Sequence, residues 1–361
     1  MKKLMSIVLA IALFISLSGC TKNTELYERL IIKAIGIDRS GGGYSVTVRV
    51  ADYAEDKEYN LTSGGESVFG AMSDLQLAEG RIPMYSHSHF ILLGREVLDN
   101  DLQETLDFFI RFYKAHPSVE VFGAQKTAAE ILNYQNEDGF IPSDRTIRLS
   151  TAKDISGKAV SVSLMELVSG SEGPSSASMI PEMTLTQNGA TITGTFLLNN
   201  YRYCARLSEL ETMGLLAARG ELKKAVVTAE LDTAGLITAE VNSCESKLNA
   251  SEDHRTWQVD VELNMSLASV GDGDFKIETE SFKAMENALA IAMKNYISTA
   301  VVSAYSSGCD ALELGGKVSR KAPRYWKGNS DNWLSLMSSM EYNINVTVNL
   351  DRLGEEGHPK A

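Results

Sequence analysis

Trp257, Val259, Val261, Leu263, Met265 and Leu267 alternate without a break with Gln258, Asp260, Glu262, Asn264 and Ser266. Successive strand side chains point to opposite faces, so this period of two gathers the apolar groups on one side and the polar groups on the other. Near the end of the chain Tyr342, Ile344, Val346, Val348 and Leu350 alternate with Asn343, Asn345, Thr347 and Asn349 in the same way. Strands with one packed face and one wet face belong to an antiparallel sheet covered on one side. Between them, Phe282, Met285, Leu289, Ala292, Met293, Tyr296, Ile297 and Ala300 form a helical stripe that reads as core rather than as a partner groove.

The first half mixes the two periodicities. Ile31 to Asp38 is an apolar strand candidate, closed by a Gly-rich turn at Arg39 to Gly43, and Tyr44, Val46, Val48 and Val50 alternate after it as a hairpin partner. Val68, Ala71, Met72 and Leu75 make a helix face, Ser86 to Gly94 a third strand, and Leu102, Leu106, Phe109, Ile110 and Tyr113 another helix. A short strand at Val119 to Phe122 and a helix over Thr127 to Tyr134 follow. Asn136 to Lys158 reads as polar and irregular, and Val160 to Val168 as one more helix. Thr191 to Leu198 and Tyr201 to Leu207 read as a hairpin, and Ser208 with Glu211 is a capping box. Ala225 to Leu231 and Leu236 to Val241 flank a turn at Asp232 to Gly235.

Strands in meander-like groups with helices between them indicate an α+β chain of two to three mixed domains, each a largely antiparallel sheet with flanking helices. Ser169 to Ser176 has no apolar side chain to bury and is the expected linker. The expected organisation is a leader over 1–19, an N-terminal α+β domain over 20–168, a linker over 169–178 and a C-terminal region over 179–361. That region is divisible into 179–250 and 251–361.

The N-terminus sets the expected location. Lys2 and Lys3 precede an apolar run from Leu4 to Leu17, then Ser18, Gly19 and Cys20. Fourteen residues make about 21 Å of helix, short of the roughly 30 Å hydrocarbon core, so the run reads as a signal peptide. Small residues directly before Cys give it the form of a lipoprotein signal, with cleavage between Gly19 and Cys20 and a diacylglycerol thioether on Cys20. The formal net charge of the 361 residues is −13, which argues against nucleic acid and against electrostatic docking on anionic lipid. Membrane attachment must then come from acyl chains. Cys204, Cys244 and Cys309 lack metal-ligand spacing; one disulfide among them stays open, with buried free thiols the expected state.

Four stretches in order resemble the Ger(x)C family, the lipoprotein C subunits of spore germinant receptors. They are the lipobox with Ile35-Gly36-Ile37-Asp38 and the strand from Tyr44; His89 to Glu96; Leu207 to Leu216, with its Leu-Ser-acidic-Gly-Leu-Leu pattern; and Asp310 with Gly315-Gly316, Pro323, Trp326-Lys327 and Trp333. Thr21-Lys22 stands where members of the family commonly have Trp-Asp, and the family's turn after the long helix is reduced to Leu314-Gly315-Gly316. The resemblance implies a three-domain mixed α/β fold and a non-enzymatic subunit beside membrane-embedded A and B subunits. Such a complex responds to small nutrients in the inner spore membrane.

Other constellations read more plainly. His87 and His89 lie two apart without a third ligand nearby and are expected to be surface or packing histidines. Gly41-Gly42-Gly43 is no phosphate loop, and Asp272 with Asp274 reads as a strand-to-helix turn rather than a calcium loop. Asp310 with Glu313, and Glu355-Glu356, read as a solvated turn and tail rather than acid–base pairs. Neither a cofactor nor a catalytic set is indicated, and direct binding of a small ligand is not expected. The competing class is a solute-binding lipoprotein feeding a transporter, against which the antiparallel alternation counts.

Overall fold

The computed structural model describes residues 28–52, 55, 57–111, 117–136, 139–141, 143–231, 235–271 and 279–351. Gly19 and Cys20 lie outside the described residues, as do Asp272 and Asp274, Glu355 and Glu356, and the turn at 232–234.

Among the described residues, nine strands form a first sheet. They are β1 (Arg29–Ser40), β2 (Gly43–Asp52), β3 (Lys57–Gly65), β4 (Ile82–Met84), β5 (Phe90–Leu93) and β6 (Glu120–Ala124). After a two-stranded ribbon, β7 (Gln135–Asn136) with β8 (Gly139–Phe140), come β9 (Ala177–Thr186), β10 (Gly189–Asn199) and β11 (Arg202–Ser208). The order is β11-β10-β9-β6-β5-β1-β2-β3, with β4 on β1. Both margins are antiparallel hairpins, whereas β1, β5, β6 and β9 run parallel.

That parallel centre explains the sequence of β5. Ile91 and Leu93 face one layer, Phe90 and Leu92 the other, so a strand buried on both sides shows no alternation. The first layer holds α1 (Val68–Glu79), α2 (Leu102–Arg111) and, further along, α6 (Leu164–Glu172). The second holds α3 (Ala128–Leu132). A bulge between Ile32 and Ala34 shifts the parity of β1, so Leu30, Ile32, Ile35 and Ile37 all reach the first layer. The stretch 136–158, expected to be irregular, carries short helical turns including α4 (Ser143–Ile147) and α5 (Ala152–Ser156).

The linker expected over 169–178 is not one. Ser169 to Glu172 complete α6, and Ala177 opens β9. Ser171 and Ser178 are buried with their hydroxyls 2.7 Å apart, and Ser178 Oγ donates to Leu167 O at 3.0 Å. The side chains are short because α6 crosses β9 closely. Strands β9 to β11, expected in the C-terminal region, complete the first sheet instead.

The second sheet joins β12 (Ala225–Leu231), β13 (Gly235–Ala250), β14 (Thr256–Val270) and β15 (Glu341–Asp351) in that order. All six apolar residues from Trp257 to Leu267 are buried on one face, under Met285, Leu289, Met293 and Ile297 of α8 (Thr279–Ser306). On the wet face Asn345 and Asn349 hydrogen-bond across to Asp260 and Glu262. The chain is therefore α+β, with β15 returning parallel to β14. The core beneath the second sheet continues to Leu197, Ala205 and Leu207 of the first, so one apolar mass joins both.

Between the sheets, α7 (Glu209–Arg219) starts with the expected capping box. Ser208 Oγ accepts from Glu211 N at 3.3 Å, and Ser208 N donates back to Glu211 Oε2 at 2.8 Å. Ser303 of α8 donates to Glu211 Oε1 at 2.7 Å. Burial pushes the Glu211 carboxyl up, but the Ser208 and Ser303 bonds outweigh it and hold it below its ordinary value. Ser208→Ala is expected to lower stability by about 1 kcal/mol, measured by urea denaturation. Among the described residues no helix is long and apolar enough to cross a membrane.

Candidate functional site

A cleft of about 780 Å³ opens where α6, the Gly173–Ser175 turn, the end of α7 and the start of α9 (Leu314–Lys321) meet. Val160, Glu166, Ser175, Arg219, Glu313 and Arg320 are among the groups lining it. Asp310 organises one wall. Expected in a solvated turn, it is instead 0 % exposed.

Its burial follows from the donors that surround it. Leu314 N reaches Oδ1 at 2.8 Å, Gly315 N reaches Oδ2 at 2.7 Å, and Trp333 Nε1 reaches Oδ2 at 3.1 Å. Tyr305 OH donates to Oδ1 at 3.4 Å, and the Ser175 hydroxyl, which accepts from Gly316 N at 3.1 Å, completes the set. Burial pushes the Asp310 carboxyl above its ordinary range, while these bonds pull it back. Trp333 opens α11 (Trp333–Met337), which α10 (Pro323–Asn329) precedes, and packs edge-on against Trp326 at 5.2 Å. One carboxylate thus pins α9, α11 and the turn between α6 and β9.

Arg219, in the last turn of α7, closes the same corner. It donates to Ala311 O at 2.9 Å, Glu221 Oε1 at 2.8 Å and Glu313 Oε1 at 2.8 Å. Burial lowers its pKa, but the two carboxylates prevail and raise it. Glu313 is committed to Arg219 and Asp310 to its donors, so the two carboxyls do not form an acid–base pair.

A similar joint lies at the far side of the first sheet. Asp38 Oδ1 accepts from Ala128 N at 2.7 Å and Oδ2 from Ala129 N at 2.9 Å, capping α3. Burial pushes this carboxyl up against the pull of the two amides. A Cβ on Gly94 would lie 2.0 Å from Asp38 Oδ1, so the strand end approaches closely only without a side chain. His89 stands just before β5, not on a strand face with His87, and its Nδ1 is 3.0 Å from Asp144. No group of three metal-ligating side chains occurs among the described residues. Cys204 and Cys244 are half-buried free thiols, and Cys309 is a buried one. What the assembled groups can do is hold helices and turns in place around a cleft.

The fold and the site thus define a two-sheet α+β protein whose buried polar groups serve as structural joints. Residues 22–185 match the model for the spore germination protein N-terminal domain, and residues 193–354 match that for the spore germination B3/GerAC-like C-terminal region. The chain belongs to this GerAC-like family of spore germination proteins. It is 26 % identical over 159 residues to spore germination protein B3 of Bacillus subtilis (strain 168). That match takes in 40 % of this chain and 42 % of the relative, so the chain spans less than half the relative's length. A crystal structure of the GerBC protein superposes with a TM-score of 0.59 at 16 % identity, covering 88 % of this chain and 96 % of that one. That likeness is one of fold.

Proposed function

We propose that the protein is a non-enzymatic, lipid-anchored C subunit of a nutrient germinant receptor, working beside membrane A and B subunits. The observation that carries this reading is the lipobox, Leu17-Ser18-Gly19-Cys20, ahead of two matched halves of a spore germination family. Cleavage after Gly19 and acylation of Cys20 hold the acidic remainder on the outer face of the cytoplasmic membrane, the inner membrane of the spore. Nutrient sensing then falls to the membrane subunits, and this subunit contributes binding surface rather than chemistry.

Deleting the gene in a strain with no redundant receptor is expected to abolish nutrient-triggered germination; germination at the normal rate would remove the proposal. Cys20→Ala is expected to leave the membrane fraction, since a two-chain anchor is lost. Retention of that variant would refute the anchor. The cleft of about 780 Å³ favours a second reading, a solute-binding lipoprotein of a transporter. Against it, one core joins both sheets and resists hinge closure. Tight binding of an amino acid, sugar or nucleoside in calorimetry would reverse the order of the two readings.

A further inference from the structure

We propose that Cys204 and Cys309 are a redox-active pair, which closes to a disulfide and clamps the edge of the first sheet to the turn after α8. A bulge places Cys204. Along β10 the register advances by one residue, Leu197 to Leu198, while on β11 it moves by two, Ala205 to Tyr203. Cys204 is the residue left over, and a bulge re-aims the side chain it frees. Its Sγ donates to Leu197 O at 3.2 Å.

Cys309 arrives from a distant part of the chain. Its N–H donates to Ala304 O at 2.9 Å, closing the end of α8. Asn199 Nδ2 donates to Gly308 O at 2.8 Å and so docks the turn on the end of β10. Cys309 Sγ donates to Leu198 O at 3.5 Å. The two thiols therefore donate to consecutive carbonyls of one strand, and the two side chains interact with each other. That contact first, and burial second, keep the Cys309 thiol well above its ordinary range, so it rests protonated.

Exchange enters at Cys204, the more exposed of the two. Its thiolate attacks one sulfur of a small soluble disulfide; a mixed disulfide forms and one small thiolate leaves, taking up the proton that Cys204 lost. Cys309 then gives its proton to solvent and attacks Cys204 Sγ, expelling the second small thiolate, which is protonated in turn. Two protein thiols are oxidised and one soluble disulfide is reduced to two thiols. The closed loop is on the order of 100 residues, a length at which crosslinking strongly restricts the unfolded chain.

The test uses the full-length protein incubated with oxidised glutathione, then unfolded, alkylated and mapped by mass spectrometry. The expected product joins the Cys204 and Cys309 peptides, two hydrogens lighter than their sum, with Cys244 alkylated. Dithiothreitol reverses it, and the thermal midpoint of the oxidised form is higher by about 5–10 °C. In Cys309→Ser the reaction stops with glutathione on Cys204, which shows the order of attack. Glutathione retained on Cys204 in the natural protein, a Cys204–Cys244 link, or full alkylation of both thiols after oxidation would each overturn the proposal.

Discussion

Replacing Asp310 with Ala is expected to lower folding stability by about 3–5 kcal/mol, read as a shift in the urea midpoint at constant slope. The carboxylate accepts from Leu314 N, Gly315 N and Trp333 Nε1, all buried, and from the hydroxyls of Tyr305 and Ser175. Each buried donor left without a partner costs about 1–3 kcal/mol. The total falls below the sum because the two hydroxyls can turn away and water can enter the space. Asp310→Asn separates charge and acceptor number from shape. Its amide nitrogen would face donors, so this isosteric change should cost nearly as much as Ala. A loss below about 1 kcal/mol in both variants would contradict the cap.

The pH dependence carries the same information with a definite sign. Asp310 titrates above its ordinary value of 3.8 in the folded protein, because burial outweighs the donors. The folded state then binds this proton more tightly than the unfolded state does. The site's share of stability is complete below pH 3.8 and declines as the pH rises from there through the native pKa. Subtracting the Asp310→Asn curve from the natural one should isolate that decline, and a difference flat from pH 3 upward would contradict it.

Asp310 also marks where local reading stops working. Within its neighbourhood the residue looks like a turn carboxylate, and local polarity sends it to solvent. Its donors come from five residues upstream, from four, five and 23 residues downstream, and from Ser175 on the other side of the chain. Burial of a charged group depends on partners that only the assembled fold brings together. Ser169 to Ser176 misleads for a related reason. Short polar side chains imply nothing to bury, yet smallness is what lets α6 cross β9, and the hydroxyls find partners there.

By contrast, β14, the β10–β11 hairpin and the Ser208–Glu211 box are set by neighbours within a few residues, and their sequence shows them directly. The parallel pairing of β1, β5, β6 and β9 has no comparable local mark, because an apolar run such as Phe90–Leu93 fits any buried strand. The family resemblance reached further than periodicity because its stretches are the joints themselves. Asp38 meets Gly94 at the cap of α3, Ser208 and Gly214 set the start and crossing of α7, and Asp310 meets Gly315 and Trp333.

Gly214→Ala tests the middle one of these joints and is expected to cost about 3 kcal/mol, at the upper end for overpacking. A Cβ there would lie 2.3 Å from Tyr296 C, 2.4 Å from Tyr296 O and 2.6 Å from Ile297 N. All three are backbone atoms of α8, so no rotamer change relieves the clash and α7 must lift away as a unit. Lifting α7 loosens the buried contacts of Met213, Leu216 and Ala217 and lengthens the 2.7 Å bond from Ser303 to Glu211. The two substitutions are therefore coupled: Ser303→Ala should destabilise the natural protein measurably but add little in the Gly214→Ala background. Full additivity in that double-mutant cycle would mean that α7 stays on α8, and that the close crossing at Gly214 is not what holds the first sheet to the second.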